Sequence, residues 1–397
     1  MRVLHLLDHS APRRSDYSRR AQSLLEGLRA QGVQTVQLTG TGHAGVTHSG
    51  PDTHGADTHG PGWHFYRTQA PGRRLPFLAR PAPDSRLGAA VSTAALALRL
   101  RQVARLTRPD LIHVHLPSAN AVAAWPVARL AKIPLLVDAE RRVQAKPAWP
   151  FPRAERWALG AAQAIAAGTA QLRAQLRAEG LGGRTIAVIP PAADLLPLAR
   201  AGAGPAGLEG APLLAYAGGL SADDGLELLL AALALLRRSH PTLRLLVAAG
   251  GAGEARFEQR LAHASLRGHV VFAGPLSYRR AADVLPRADI AIFPALGRAA
   301  SLEPSRHLLN ALAQGCAIVA SDIPCHRELL VHGHSGILFE AGKRAALAAA
   351  VQQLLAEPWR IAALGAAGRE FMATRRSWAV TAARYKRVYE SVLTARR

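Results

Sequence analysis

Cysteine is nearly absent: Cys316 and Cys325 are the two in 397 residues. A disulfide scaffold and a four-cysteine zinc site are therefore excluded. Lysine is scarce as well, with four (Lys132, Lys146, Lys343 and Lys386) among 49 basic residues. Long apolar runs are missing; stretches such as Leu228–Leu236 reach about half of the 18 or so residues that a spanning helix needs. No basic-then-apolar leader opens the chain, and the expected compartment is the cytoplasm. What is present is a globular composition, 49% hydrophobic against 19% charged, which argues against disorder. The length suits two domains of about 150–200 residues each.

Acidic residues number 27, so the net charge is +22. That balance suits a polyanionic partner: nucleic acid, anionic headgroups or a phosphorylated substrate. The excess is almost all arginine, in a chain rich in alanine and glycine, and it resembles the coding bias of a GC-rich genome as much as selection for a partner. A nucleic-acid binder would interleave basic residues with aromatics, and no such stripe exists.

Short apolar runs alternate with longer helical patterns from end to end. The runs predict strands at Val3–Leu7, Val33–Leu38, Leu111–Val114, Leu135–Val137 and Ile186–Ile189. They resume at Leu213–Ala217, Leu243–Ala248, Val270–Phe272, Ile290–Phe293 and Ile318–Ala320. Helical patterns include Ala21–Ala30, Gly225–Arg238 and Ser305–Gln314. Continuous apolar strands alternating with helices predict parallel sheets covered on both faces. A glycine-, alanine- and proline-rich break interrupts the pattern. The expected organisation is an α/β N-terminal domain over 1–195, a linker over 196–212, a second doubly wound domain over 213–376 and a terminal helix over 377–397. Gly40–Gly62, with His43, His48, His54 and His59, reads as a flexible loop, because nothing in it would hold metal ligands in a fixed geometry. The aromatics Trp378, Tyr385 and Tyr389 form a packing stripe on the terminal helix.

Ligands of open α/β sheets bind where strands end and helices begin. After the first strand come Ser15, Asp16 and Tyr17 in an arginine-rich turn without glycine, which fits an anion and argues against a dinucleotide fingerprint. His113 and His115 share one strand face; the first reads as a core histidine, and the second, at the strand end, as a donor to a ligand. In Val137-Asp-Ala-Glu-Arg-Arg142, at the end of the next strand, Glu140 and Arg141 suit acceptor binding, although a surface ion pair explains them nearly as well. In the second half, Gly218, Gly219 and Gly251 let a phosphate approach the backbone near a helix N-terminus. Glu303, Ser305, Arg306 and His307 surround a further helix start.

The stretch Asn310–Asp322, continued by His326–Leu330 and Gly333–Phe339, resembles the signature of the family-four retaining glycosyltransferases of the GT-B fold. Val3–Ser10 resembles the opening strand of their exosortase-linked, exopolysaccharide-cluster members. Val188-Ile-Pro190 with Asp194, Gly274, Pro294 and the helix begun by Trp378 also match. The resemblance implies two Rossmann-like domains facing across a cleft, with donor nucleotide bound by the second.

It further implies a family glutamate pair, which falls here at Leu302, with Glu303 one position on, and at Asn310. The family's diphosphate-binding Arg and Lys fall at Gly219 and Asp224, a pair that the exosortase-linked subgroup also lacks. Its N-domain histidine is replaced around Ala139 and Glu140. Arg298 and Arg306 are the candidates to take over the basic pair. The assignments implied are Glu303, His115 and Arg306 at the reacting centre; Gly218, Gly219, Gly251, Arg298, Ser305, His307 and Asn310 at the donor; and Ser15, Asp16, Tyr17, Glu140 and Arg141 at the acceptor. No cofactor and no metal is expected. The expected substrates are a UDP- or GDP-linked sugar and a lipid-linked or growing saccharide, with peripheral contact to an anionic membrane. The alternative is a weakly active or inactive scaffold of the same fold.

Overall fold

The computed structural model describes residues 1–8, 16–40, 64–68, 85–115, 120–139, 152–195, 212–250, 253–263, 266–275, 284–297 and 304–395. The chain forms two compact units, Met1–Pro191 with Trp378–Arg397, and Ala192–Ser377. The expected linker, 196–212, lies outside the described residues except for Pro212, as does the histidine-bearing segment 41–62.

In the first unit the strands are β1 (Arg2–Leu7), β2 (Gln34–Thr39), β3 (His64–Arg67), β4 (Leu111–Val114), β5 (Leu135–Ala139), β6 (Ala164–Ala167) and β7 (Thr185–Val188). They form one parallel sheet in the order β3-β2-β1-β4-β5-β6-β7. Burial on both faces explains why β1, β4 and β6 are apolar apart from Arg2, His5 and His113. Two of these strands are absent from the sequence reading. β3 is short and flanked by glycine and proline, and β6, Ala-Ile-Ala-Ala, carries too little β-branching to stand out from helical alanine. The helices are α1 (Asp16–Ala30), α2 (Arg86–Thr107), α3 (Ala121–Ala131), α4 (Pro152–Ala161) and α5 (Ala170–Leu176).

The second unit repeats the plan with β8 (Leu213–Gly218), β9 (Arg244–Ala249), β10 (Val270–Phe272), β11 (Ile290–Phe293), β12 (Ala317–Ser321) and β13 (Ile337–Phe339), ordered β10-β9-β8-β11-β12-β13. Its helices are α6 (Leu226–Leu236), α7 (Glu254–His263), α8 (Arg306–Ala313), α9 (Pro324–Arg327), α10 (Arg344–Ala356) and α11 (Pro358–Arg375). Two apolar layers, one on each sheet face, make its core.

The last helix, α12 (Trp378–Thr394), belongs to the first unit and packs along α1. Gly27 permits the approach, since a Cβ there would stand 3.1 Å from that of Ala382. Ala382, Tyr385, Tyr389 and Val392 join Leu24, Leu25 and Leu28 over the sheet. No described helix is long and apolar enough to cross a membrane.

The same close approach holds α11 against the entry to β12. A Cβ on Gly365 would overlap the Gly315 carbonyl oxygen, and backbone cannot move aside as a flexible side chain can. Gly365→Ala is expected to lower the stability of the second unit by about 1–3 kcal/mol. Urea unfolding should show this as a lower midpoint with an unchanged slope.

Candidate functional site

Each sheet has one point where the winding reverses, between β1 and β4 in the first unit and between β8 and β11 in the second. The crevice beyond the strand ends at such a point is where this class of sheet holds its ligands.

At the second unit's switch point, β8 runs into Gly218 and Gly219, and the Tyr216 hydroxyl donates to the Gly219 carbonyl at 2.6 Å. Ser221 opens a single helical turn over Ala222–Asp224, and its backbone N–H and its hydroxyl donate to Asp224 Oδ2 at 2.9 and 2.6 Å. Asp224 is thus committed to a capping box. A Cβ on Gly219 would overlap that same carboxylate oxygen, so the two positions where the resembled family carries its basic pair do face each other. Gly225 follows at φ +76° with the Pro294 carbonyl, just past β11, where its Cβ would be; no L-residue fits there. Leu296 N–H donates to the Asp223 carbonyl at 2.9 Å and closes the β8 turn onto the β11 turn.

α8 starts beyond β11. Ser305 is its N-cap, its Oγ accepting from Leu308 N–H at 3.1 Å, so the oxygen expected to meet donor is engaged as a cap. Arg306 is exposed, His307 half-buried and Asn310 buried, and the spacing of three and four residues places them on one helix face. The side chain of Asn310 has no partner among the described residues. Glu303, Arg298 and Gly251 lie outside the described residues, as do Ser15, Glu140 and Arg141. Asp16 begins α1.

Beyond β12, His326 is buried and its Nδ1–H donates to the Ser321 carbonyl at 2.8 Å. Burial lowers its pKa despite that bond and the nearby Asp322.

At the first unit's switch point the structure corrects the reading of His115. It is not an open donor: Nδ1 meets Asp138 Oδ2 at 3.0 Å, and Nε2 meets His5 Nδ1 at 2.9 Å. His113 is a core residue, bonded to Asp138 Oδ1 at 2.9 Å and to the Tyr389 hydroxyl at 2.8 Å. Tyr385 donates to Asp138 Oδ1 at 2.9 Å. The α12 aromatics are therefore more than a packing stripe. Tyr17 turns inward, its hydroxyl accepting the Asp8 N–H at 3.1 Å, and burial raises its pKa.

One proton arrangement satisfies this network. An ionised Asp138 accepts from His113 Nε2–H, His115 Nδ1–H and Tyr385 O–H. The other ring nitrogens then accept, His113 Nδ1 from Tyr389 and His115 Nε2 from His5 Nδ1–H. His5 is left with a lone pair at Nε2, buried and without a partner. Burial, followed by the neighbouring His115, lowers the His113 pKa to about 4, and burial lowers that of His5 as well. Burial by itself would raise the Asp138 pKa, but attraction to His113 and the histidine hydrogen bonds outweigh it and hold the pKa below the usual carboxylate range.

The sequence alone does not present these residues as a set, since His5 is over a hundred positions from its partners. Strand register brings them together, His5 lying opposite His113. Among the described residues, His5, His113 and His115 also form the one histidine, cysteine and carboxylate group with ligating atoms all within 4.8 Å of one another.

Residues 17–192 match the family described as "Glycosyl transferase 4-like domain", and residues 211–357 the family "Glycosyl transferases group 1". In fold the chain is similar to sucrose-phosphate synthase from Thermosynechococcus elongatus, with a TM-score of 0.74 at 20% identity over 100% of both chains. The chain is a glycosyltransferase of the GT-B fold. HepE from Anabaena, solved with UDP, is a second neighbour, with a TM-score of 0.69 at 16% identity over 98% of this chain and 100% of HepE. Among curated relatives, 2-deoxystreptamine glucosyltransferase of Streptomyces kanamyceticus is 28% identical over 70% of this glycosyltransferase and 77% of its own length.

His326 supplies a pH test of the second unit of this glycosyltransferase. Its folded pKa lies below the free value of about 6.5, so the unfolded chain binds the proton more readily. Stability is fully present above that value and is expected to fall as the pH drops from about 6.5 towards the folded pKa. Thermal unfolding at pH 7.5, 6.0 and 5.0 measures this, and His326→Gln should make the profile shallower while the part owed to His5 and His113 remains.

Proposed function

We propose that this glycosyltransferase moves a sugar, with retention, from a UDP- or GDP-linked donor to a lipid-linked or growing saccharide in exopolysaccharide or cell-envelope glycan assembly. The observation that carries the donor side is the pair of turns at the β8–β11 switch point. Gly218 and Gly219, whose missing side chains leave room for the Tyr216 hydroxyl and the Asp224 carboxylate, form the turn on one side, and Arg306, His307 and Asn310 share a face of α8 on the other. HepE holds UDP and UDP-glucose on a similar fold, which favours UDP.

In this reading the departing diphosphate lies against backbone N–H groups and the Arg306 guanidinium. The donor phosphate takes the acceptor's proton, and no protein nucleophile is needed. Positioning and charge stabilisation then supply the acceleration. Asn310 meets the donor ribose, with one carbonyl oxygen accepting and the amide N–H donating.

Calorimetric titration of UDP, GDP and their sugars tests it. Arg306→Ala should weaken donor binding about ten- to a hundred-fold, the worth of one charge-assisted hydrogen bond. Asn310→Glu should tighten it through a charged ribose contact. The same change buries an unpaired carboxylate in the free protein, so that variant should also be less stable until nucleotide is added. Flat titrations for all three folded proteins would overturn the enzyme mechanism and favour a scaffold, a role that the acidic cap at Asp224 would suit.

The acceptor side rests on charge. Among the arginines of the N-terminal half, Arg19 and Arg20 lie on α1, while Arg13, Arg14, Arg73, Arg74 and Arg80 lie outside the described residues. A second basic surface was not apparent from the sequence: Arg101, Arg105, Arg108 and Lys132 line an open hollow of about 1120 Å³ at the ends of α2 and α3. Leu106 and Leu130 stand nearby with 61% and 77% of their surface exposed. Such a mixture suits the cytoplasmic face of a membrane. Co-sedimentation with anionic vesicles should weaken as salt rises, because exposed charges are screened over about 8–10 Å. Arg105→Glu with Lys132→Glu should weaken it further. Salt-insensitive or absent binding would remove membrane contact from the proposal.

A further inference from the structure

We propose that His5, His113 and His115 form a binding site for a divalent transition-metal ion of the zinc type, with Asp138 as the carboxylate that orients two of the imidazoles. The proposal is independent of the sugar donor.

Three observations meet here. The first is geometry. One ring nitrogen from each histidine lies within 4.8 Å of the others, on two adjacent strands whose register is fixed by the sheet. A tetrahedral zinc with Zn–N bonds of about 2.0–2.1 Å holds its nitrogens about 3.3 Å apart, so small ring rotations suffice. His5 and His115 already meet at 2.9 Å through a shared proton.

The second is protonation. Metal binding needs imidazoles that carry a lone pair. The proton arrangement that the hydrogen-bond geometry requires leaves one nitrogen of each ring without a proton. Asp138 accepts from His115 Nδ1–H and leaves Nε2 for a metal, which is the carboxylate–histidine–metal geometry of known metal sites. His5 turns its Nδ1 lone pair to the ion by taking its other tautomer, the proton moving from Nδ1 to Nε2. His113 exchanges one hydrogen bond for the third coordination bond.

The third is an unmet demand. His5 Nε2 is buried with no partner. The amide nitrogen of Gln37, in register with His5 on the neighbouring strand, is buried without a partner too. Orphaned polar atoms are unusual in a folded core, where nearly all such groups are satisfied; an ion held by His5 Nδ1 leaves the Nε2 position unpaired, so the demand it can meet is that of Gln37. A water in the fourth coordination position would give the Gln37 amide an acceptor. Imidazole-rich sites of this kind select zinc, copper, nickel or cobalt over magnesium or calcium, which prefer oxygen.

The test uses the full-length protein, freed of any affinity tag and of metal by chelation, then titrated with Zn²⁺ and with Co²⁺. One equivalent of Zn²⁺ is expected to bind with a dissociation constant below about 1 μM and to raise Tm. The Co²⁺ protein should show the strong visible bands of a four-coordinate ion, and X-ray absorption of the wild-type zinc protein should count three imidazoles. The last measurement needs no variant, so a folding failure cannot obscure the result. His5→Gln and His115→Gln should each weaken binding at least a hundred-fold. Replacing His43, His48, His54 and His59 together with Gln should leave it unchanged. The proposal is overturned if no stoichiometric uptake occurs. It is overturned equally if uptake disappears with those four histidines and survives His5→Gln.

Discussion

The carboxylate of Asp138 is the acceptor on which the first unit's interior depends. It sits on β5 with 15% of its side chain exposed and takes hydrogen bonds from His113, His115 and Tyr385. Without it, two imidazole N–H groups and a phenol would be buried with nothing to accept them, at about 1–3 kcal/mol for each. Its charge also sets the direction of every other bond in the cluster. Because Asp138 can only accept, His113 and His115 must donate to it, and their remaining nitrogens must accept from Tyr389 and His5. Without a bound ion, a single ionised group thereby fixes three tautomers and two hydroxyl orientations. It also ties α12, the last helix in the chain, to strands from its beginning.

That arrangement explains why the terminal helix belongs to the first unit. Apolar contact through Ala382, Tyr389 and Val392 provides most of the area, but apolar contact is indifferent to small shifts along the helix. The Tyr385 and Tyr389 hydroxyls are not indifferent, since each must reach one atom. The spacing of four residues puts both on the same face, and the register of β4 and β5 puts both acceptors beneath them. Packing gives the helix its affinity for the sheet, and the polar pair gives it its position.

The strand pattern was legible in the chain because parallel strands buried on both faces cannot hide their hydrophobicity, and Leu111–Val114 is an example. β6 was not legible, because a four-residue strand made mostly of alanine has no signal of its own and is held by its neighbours. At the second switch point, Gly219, Asp224 and Asn310 could be singled out by comparison with a family pattern, and the clash at Gly225 shows why glycine is demanded there. The histidine cluster could not be read as a unit. His113 and His115 were visible as a pair two apart, but His5 looked like an isolated polar residue in an apolar strand. Only the pairing of β1 with β4 reveals the third member. The hydroxyls of Tyr385 and Tyr389 were hidden for a related reason: helical spacing reports which face is buried, not which polar atom waits there.

The two switch points also differ in how they handle charge. In the first unit a buried carboxylate is surrounded by donors and its charge is fully used inside the fold. In the second, Asp224 is met by the backbone and hydroxyl of Ser221, which engage one oxygen and leave the net charge beside Gly219. A phosphate approaching the Gly218–Gly219 backbone would meet that charge at close range, where screening by salt is least effective. Compensation must therefore come from the opposite side of the switch point, across β11. Arg306 is exposed at the first turn of α8 and has no ion-pair partner among the described residues, so its charge is not already spent on the fold. The proposed donor site thus has its acid on the β8 side and its base on the α8 side, and a nucleotide bound as proposed would turn its phosphates towards α8.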